Sequence, residues 1–297
     1  MTKYKYELLL IIAAILWGLT FPGTKYIGAD IDSMGLLAIR CTLSALTMIL
    51  MYAGKLKEIK WKMIIPSAAV VMLSVVGTYF QVEGIKNTSS GNAGFIAATN
   101  IIFVPLFAFL IYKKKPQKAF YPGLLAIMAG FLFVSGIISL NPFSVNFTSI
   151  KYGDLLVLIY AIMVGLYFLF FNKLAEKYDE TLINTLMAIS GAIGAWVLWI
   201  LLPGKMMDFS DSGTVFWVVL CGVGGTGIAN LLVAKAQANL DASKVSVLCS
   251  LQSVFAMVFA ATIPGRDGMI EPITLTAAIG GALILTGIVI ISKKNKN

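Results

Sequence analysis

Ten stretches of mostly apolar residues, each about twenty long, follow one another along this chain, and each matches the ~30 Å hydrocarbon core of a bilayer at a rise of ~1.5 Å per residue. A backbone that crosses hydrocarbon has to satisfy its own N–H and C=O groups, so the pattern restricts the chain to an all-α, polytopic membrane protein. The spans are predicted at Glu7–Ile27, Met34–Ala53, Lys62–Glu83, Gly91–Tyr112, Ala119–Leu140, Gly153–Leu174, Leu182–Leu202, Gly213–Lys235, Ala242–Ile263 and Ile273–Ser292. With 59% hydrophobic and 12% charged residues, a soluble globule of 297 residues would expose more apolar surface than it can cover.

The basic residues are divided unevenly between the two sets of loops. One set carries 17: Lys3, Lys5, Lys55, Lys57, Lys60, Lys62, Lys113, Lys114, Lys115, Lys118, Lys173, Lys177, Lys235, Lys244, Lys293, Lys294 and Lys296. The other carries 4, Lys86, Lys151, Lys205 and Arg266, and the remaining Lys25 and Arg40 fall inside spans. By the positive-inside rule both termini are expected in the cytoplasm, in a multi-pass protein of the plasma membrane. This asymmetry also accounts for the net charge of +9. Because the lysines sit at span ends and not on one soluble face, a nucleic-acid partner is not predicted; the bilayer and its anionic head groups are. The apolar run to Trp17 flows into a full-length span without a small-residue cleavage pattern, so it reads as a permanent first helix. Oligomeric state is not legible.

The three cysteines, Cys41, Cys221 and Cys249, have no paired spacing and read as small apolar packing groups. With no histidine, no Cys-x-x-Cys and no acidic cluster, no metal or other cofactor is expected and a Ser/His catalytic pair is excluded. The chain does not read as an enzyme. Any proton-coupled step has to use a carboxylate, a lysine or water.

The polar connection Asn141–Tyr152 divides ten spans into five and five, giving halves 1–145 and 146–297 of one membrane domain. An odd number of spans per half places duplicated halves in opposite orientations, which predicts an inverted repeat with a ligand site near mid-depth between them. The segment Gly84-Ile-Lys-Asn-Thr-Ser-Ser-Gly-Asn-Ala-Gly-Phe95 aligns without gaps to Gln237-Ala-Asn-Leu-Asp-Ala-Ser-Lys-Val-Ser-Val-Leu248, with few identities but matching position.

Trp17-Gly-Leu-Thr-Phe-Pro-Gly-Thr-Lys25, Arg40 in the second span, and Tyr79-Phe-Gln-Val-Glu-Gly-Ile-Lys-Asn-Thr-Ser-Ser-Gly-Asn-Ala-Gly-Phe95 followed by Phe103-Val-Pro-Leu-Phe107 resemble the first four spans of EamA-type carriers in the drug/metabolite transporter superfamily. The resemblance covers nearly the whole chain and implies a 5+5 inverted-repeat metabolite carrier, often an exporter of amino acids or related molecules. Two positions depart from the family pattern. Tyr112-Lys-Lys-Lys-Pro116 stands where a glutamate often follows the fourth span, and Gln252-Ser253 stands where the ninth span often has Glu-Pro, so a mechanism needing that acid does not carry over.

Charges inside spans are the strongest site signal, each costing ~2.5–3.5 kcal/mol at a helix centre unless it pairs or lines water. Lys25, Arg40 and Glu83 fall in the same half of the membrane. A pairing of Glu83 with Arg40 or Lys25 reads either as a gate that breaks and reforms or as a fixed structural pair; for Lys25, snorkelling to the surface is a third reading. Trp17, Phe21 and Lys25 share one helix face, as do Tyr160 and Tyr167; they are read either as packing or as walls for a small zwitterion or aromatic amine. Asn100, Asn230 and Gln252 stand near mid-span, suited to interhelical hydrogen bonds or to substrate recognition. Gly222-Val-Gly-Gly-Thr-Gly227 has no preceding strand and is expected to serve close helix packing or bending; Pro22 and Pro105 are expected to kink their helices. Asp154, in a first helical turn, reads as a helix-end charge or a proton site.

Together these readings predict a secondary transporter of small polar metabolites that works by alternating access. Amino-acid export is the leading expectation, carriage of vitamins or nucleotide precursors the alternative within transport, and a membrane-embedded enzyme the alternative of another class. A passive channel would need a continuous polar stripe, which the spans lack.

Overall fold

The computed structural model describes residues 4–28, 31–113, 115–140, 143–146, 150–202, 204, 211–237, 239–240 and 242–292. Lys3, Lys114, Lys205, Lys293, Lys294 and Lys296 of the lysine tally, Pro142 of the central loop, and Ala238 and Asp241 of the second repeat segment lie outside the described residues. The helices are α1 (Lys5–Ile27), α2 (Ser33–Tyr52), α3 (Trp61–Lys86), α4 (Ser90–Ala98), α5 (Asn100–Tyr112), α6 (Phe120–Val134), α7 (Tyr152–Ala175), α8 (Glu180–Leu201), α9 (Ser212–Val219), α10 (Ala229–Gln237), α11 (Ala242–Thr262) and α12 (Leu275–Ser292). A π-helical segment, Leu220–Ile228, joins α9 to α10.

Every predicted span contains helix. Seven helical stretches are long and apolar enough to cross a membrane, while Phe120–Val134, Leu248–Thr262 and Leu275–Ile291 are shorter apolar helices. The fifth span, predicted to reach Leu140, is helical only to Val134. Gly136 takes a positive φ of 75°, open to a residue without a Cβ, and the chain enters a small antiparallel hairpin pairing Ile138–Leu140 with Phe143–Val145.

Pro22 and Pro105 lie inside α1 and α5, neither of which is interrupted at its proline. The fourth span is instead divided at Thr99. There the helix tightens to i→i+3 bonds, from Thr99 N to Ile96 O at 3.0 Å and from Ile102 N to Thr99 O at 2.9 Å. The Thr99 hydroxyl draws on the same Ile96 carbonyl at 2.6 Å, which weakens the regular ladder.

The largest helix contacts pair α6 with α12, α3 with α7, α1 with α11 and α2 with α8. Glycine makes the first of these close. A Cβ on Gly130 would lie 2.5 Å from Gly280 O and one on Gly280 2.6 Å from Gly130 O; Gly123 and Gly287 repeat the relation at 2.7 and 2.6 Å. Small residues at such a crossing let two backbones pack where lipid offers no hydrophobic drive. Packing relations also recur along the chain. Gly18 meets Phe255 and Ala256 of α11, and Gly165 meets Phe103 and Asn100 of α5. Asp32 caps α2 by accepting from Met34 N and Gly35 N at 3.0 and 2.9 Å, and Asp179 caps α8 from Thr181 N and Leu182 N at 2.9 and 3.0 Å. Positions 18 and 165 differ by 147, as do 32 and 179.

Candidate functional site

A cavity of about 380 Å³ lies between the helices. Trp17, Asn100, Tyr160, Tyr167, Asn230 and Gln252, the six residues singled out as candidate substrate contacts, all line it. Arg40 lines it too, and Lys25 and Glu83 do not. Sequence reasoning missed several further polar lining residues, among them Thr78, Gln81, Asn172, Asn184 and Thr226. Each is an isolated polar residue in an apolar span, so the signal was present, but only the packing tells which face turns inward.

Arg40 is 5% exposed, and its Nε and Nη2 donate to Thr226 Oγ1 at 3.4 and 3.3 Å, both long. Among the described residues no carboxylate pairs with it, and no other charged side chain lines the cavity. The walls around this cation are aromatic: Trp17, Phe21, Tyr160, Tyr167, Phe168 and Phe171. Tyr160 stands beside Gln81 and within electrostatic reach of Arg40. The arrangement therefore offers a fixed positive charge, several amides and aromatic faces to one small molecule.

The glycine run of the eighth span shapes this site. Its π-helical turn presents the Thr226 hydroxyl to Arg40 and the Gly225 carbonyl to the Trp17 indole N–H at 3.0 Å. A Cβ on Gly225 would come within 2.3 Å of Thr20 Cγ2, and one on Gly222 within 2.8 Å of Leu43 Cβ, so glycine is required for α1 and α2 to approach. The expected role in close packing holds, with a π-bulge added.

The charges expected to pair with one another do not. Lys25 Nζ donates to the carbonyls of Ile85 at 3.2 Å and Lys86 at 3.5 Å and to that of Thr88, satisfying the end of α3. Glu83 accepts from the Ser33 hydroxyl, and Arg40 faces the cavity. The correction has a plain cause: residues sharing a depth lie on different helix faces, and backbone carbonyls freed at a helix end compete for a lysine.

Lys25 and Glu83 belong instead to a polar network at the lysine-poor ends of the helices, where Lys25, Lys86, Thr88 and Glu271 also line a second, open cleft of about 1250 Å³. There a Cβ on Gly153 would lie 2.4 Å from Gly84 O, Thr88 Oγ1 donates to Asp154 Oδ1 at 2.6 Å, and Lys86 Nζ donates to Ile31 O at 2.8 Å. Asp154 also accepts from Lys151 N at 3.1 Å, which is the helix-end role of its two readings. Glu271, from the loop before α12, caps α4 by accepting from Ser90 N at 2.7 Å, Ser90 Oγ at 3.2 Å and Gly91 N at 3.4 Å. Toward the lysine-rich ends the cavity lining continues, reaching Asn172 on α7 and Gln237 on α10. Gly84, aligned to Gln237 in the sequence, packs against Val157, where a Cβ would lie 2.7 Å from Val157 Cγ2.

Fold and cavity define a multi-pass helical membrane protein of the transporter class. The chain belongs to the EamA-like transporter family, whose model matches it twice, over residues 4–136 and 151–293. A protein named uncharacterized transporter from Archaeoglobus fulgidus is 26% identical over 290 residues, covering 96% of this chain and 85% of its own. The uncharacterized transporter YcxC of Bacillus subtilis is 25% identical over 264 residues, covering 83% and 82%. A crystal structure at 18% identity shares the fold with a TM-score of 0.68 over 97% of this chain and 96% of that one.

Proposed function

We propose that this transporter moves small carboxylate-bearing metabolites, amino acids first among them, out across the plasma membrane by alternating access. The observation that carries the reading is Arg40, a buried guanidinium in the cavity that no carboxylate of the described residues pairs. A buried cation without an anion is unfavourable, and a solute carboxylate supplies the missing bidentate acceptor. Amide oxygens of Asn100, Asn230 and Gln252 and the faces of Trp17, Tyr160 and Tyr167 suit an ammonium and an apolar side chain.

In this reading residues 1–145 and 146–297 are five-helix halves of inverted topology that rock about the cavity. The common spacing of 147 between Gly18 and Gly165 and between Asp32 and Asp179 supports it. With the lysine-rich loops in the cytoplasm, the network of Lys25, Glu83 and Glu271 and its cleft face outward, and the Arg40 cavity extends inward. The test is uptake of a pool of radiolabelled amino acids by proteoliposomes preloaded with the same pool unlabelled, with and without a pH gradient, against protein-free vesicles loaded alike. Accumulation above the control supports the proposal. None, from protein shown to be folded, transfers it to carboxylate-bearing vitamins and nucleotide precursors.

A further inference from the structure

We infer that this transporter is an exchanger: it passes between its two open states readily only with a carboxylate-bearing solute in the cavity, so release of one solute requires uptake of another. The inference rests on the transport reading above and concerns how the cavity handles its own charge.

Arg40 is the sole charged side chain lining the cavity among the described residues. A guanidinium does not lose its proton in a protein, so the empty cavity has no means of shedding this charge. A cavity built on Asp, Glu or His differs, because a proton neutralises or discharges it. Thr226 supplies one acceptor, at 3.3 and 3.4 Å, to a group with five N–H donors. Water serves the others while one end of the cavity is open. Closing both ends leaves the cation in a low-dielectric space between Trp17, Tyr160 and Tyr167, with no anion. A loss of the size measured for one partner of a buried ion pair slows that empty crossing ~10²-fold or more.

A bound carboxylate removes the obstacle by pairing with the guanidinium before the ends close. The loaded carrier then crosses in either direction, and the empty one waits for a solute. Among the described residues that line the cavity there is no carboxylate, histidine or lysine to carry a proton, so the driving force is the gradient of the counter-solute.

The experiment loads proteoliposomes with a ¹⁴C-labelled amino-acid pool and dilutes them into buffer with or without the same pool unlabelled. Efflux at least tenfold faster with external solute is the expected result. Equal efflux in the two buffers overturns exchange and leaves the transport reading standing, while no efflux in either, from folded protein, overturns both. A second measurement needs no solute. In a chain whose native cysteines are replaced, Leu37→Cys, which lies in the cavity near the lysine-poor end of α2, reports opening to an impermeant thiol reagent. Arg40→Gln is expected to raise its labelling rate at least tenfold in solute-free buffer. Labelling unchanged by Arg40→Gln overturns the inference.

Discussion

The indole N–H of Trp17 on α1 donates to the carbonyl of Gly225 at 3.0 Å, tying the first helix to the π-helical turn that also holds Thr226 against Arg40. A partly buried indole in an apolar span needs an acceptor, and the turn offers one because nothing but glycine fits against Thr20 there. Gly225→Ala places a methyl 2.3 Å from Thr20 Cγ2 and is expected to destabilise the protein by about 1–3 kcal/mol. Thr20→Ser removes that Cγ2 while keeping the hydroxyl bond to Trp17 O at 2.7 Å, so the double variant is expected to recover most of the loss. Thermal unfolding in detergent of the four proteins of this cycle measures the coupling, and additive losses would refute the contact.

Arg40 is expected to govern affinity. Arg40→Gln deletes the charge and is expected to weaken binding of a carboxylate solute by about 2–4 kcal/mol, 30-fold or more. Thr226→Val removes only the long bonds at 3.3 and 3.4 Å and is expected to weaken binding less than tenfold. Equilibrium binding of the transported amino acid to purified protein separates the two; equal effects would place Thr226, not Arg40, at the solute.

The sequence displayed the spans and the candidate cavity residues but not the partners of the charges. Trp17, Asn100, Tyr160, Tyr167, Asn230 and Gln252 stood out because a polar or amphipathic group in an apolar span has to face something other than lipid, and they converge on one cavity. Which carbonyls Lys25 meets depends on where α3 ends, and that is set by packing of Gly84 on Gly153 rather than by local propensity. The division of the fourth span at Thr99 was hidden for a similar reason. Proline is the louder breaker, yet Pro105 is accommodated in α5 while a threonine hydroxyl loosens the ladder six residues earlier. The repeat had a clearer mark than the segment alignment, in Gly18/Gly165 and Asp32/Asp179, visible only when glycine contacts and helix caps are compared.

The glycine crossing of α6 and α12 is expected to tolerate no side chain. Gly130→Ala puts a methyl 2.5 Å from Gly280 O, a backbone atom that cannot swing away, and is expected to lower stability by about 1–3 kcal/mol. Gly54→Ala, with nothing within 4 Å, serves as the control. Equal melting temperatures for the two variants would show that the helices separate without loss.

Asp179 carries a pH dependence whose direction follows from its surroundings. It lies outside the spans at the N-terminus of α8; partial burial alone would raise its pKa, but the N–H of Leu182 and the Lys55 ammonium at 3.4 Å outweigh that and hold it below the ordinary carboxylate value. A depressed folded pKa gives stabilisation that is complete above the unfolded value of ~3.9 and is lost as pH falls through the folded one. Because both partners are about 40% exposed, at 43% and 40%, the ion pair adds little and the cap dominates, so Asp179→Ala is expected to cost about 1 kcal/mol. The difference in stability between the native protein and Asp179→Ala is therefore expected to be flat from pH 8 to pH 5 and to shrink below about pH 4. Thermal unfolding across that range measures it, and a difference that grows on acidification would contradict the cap.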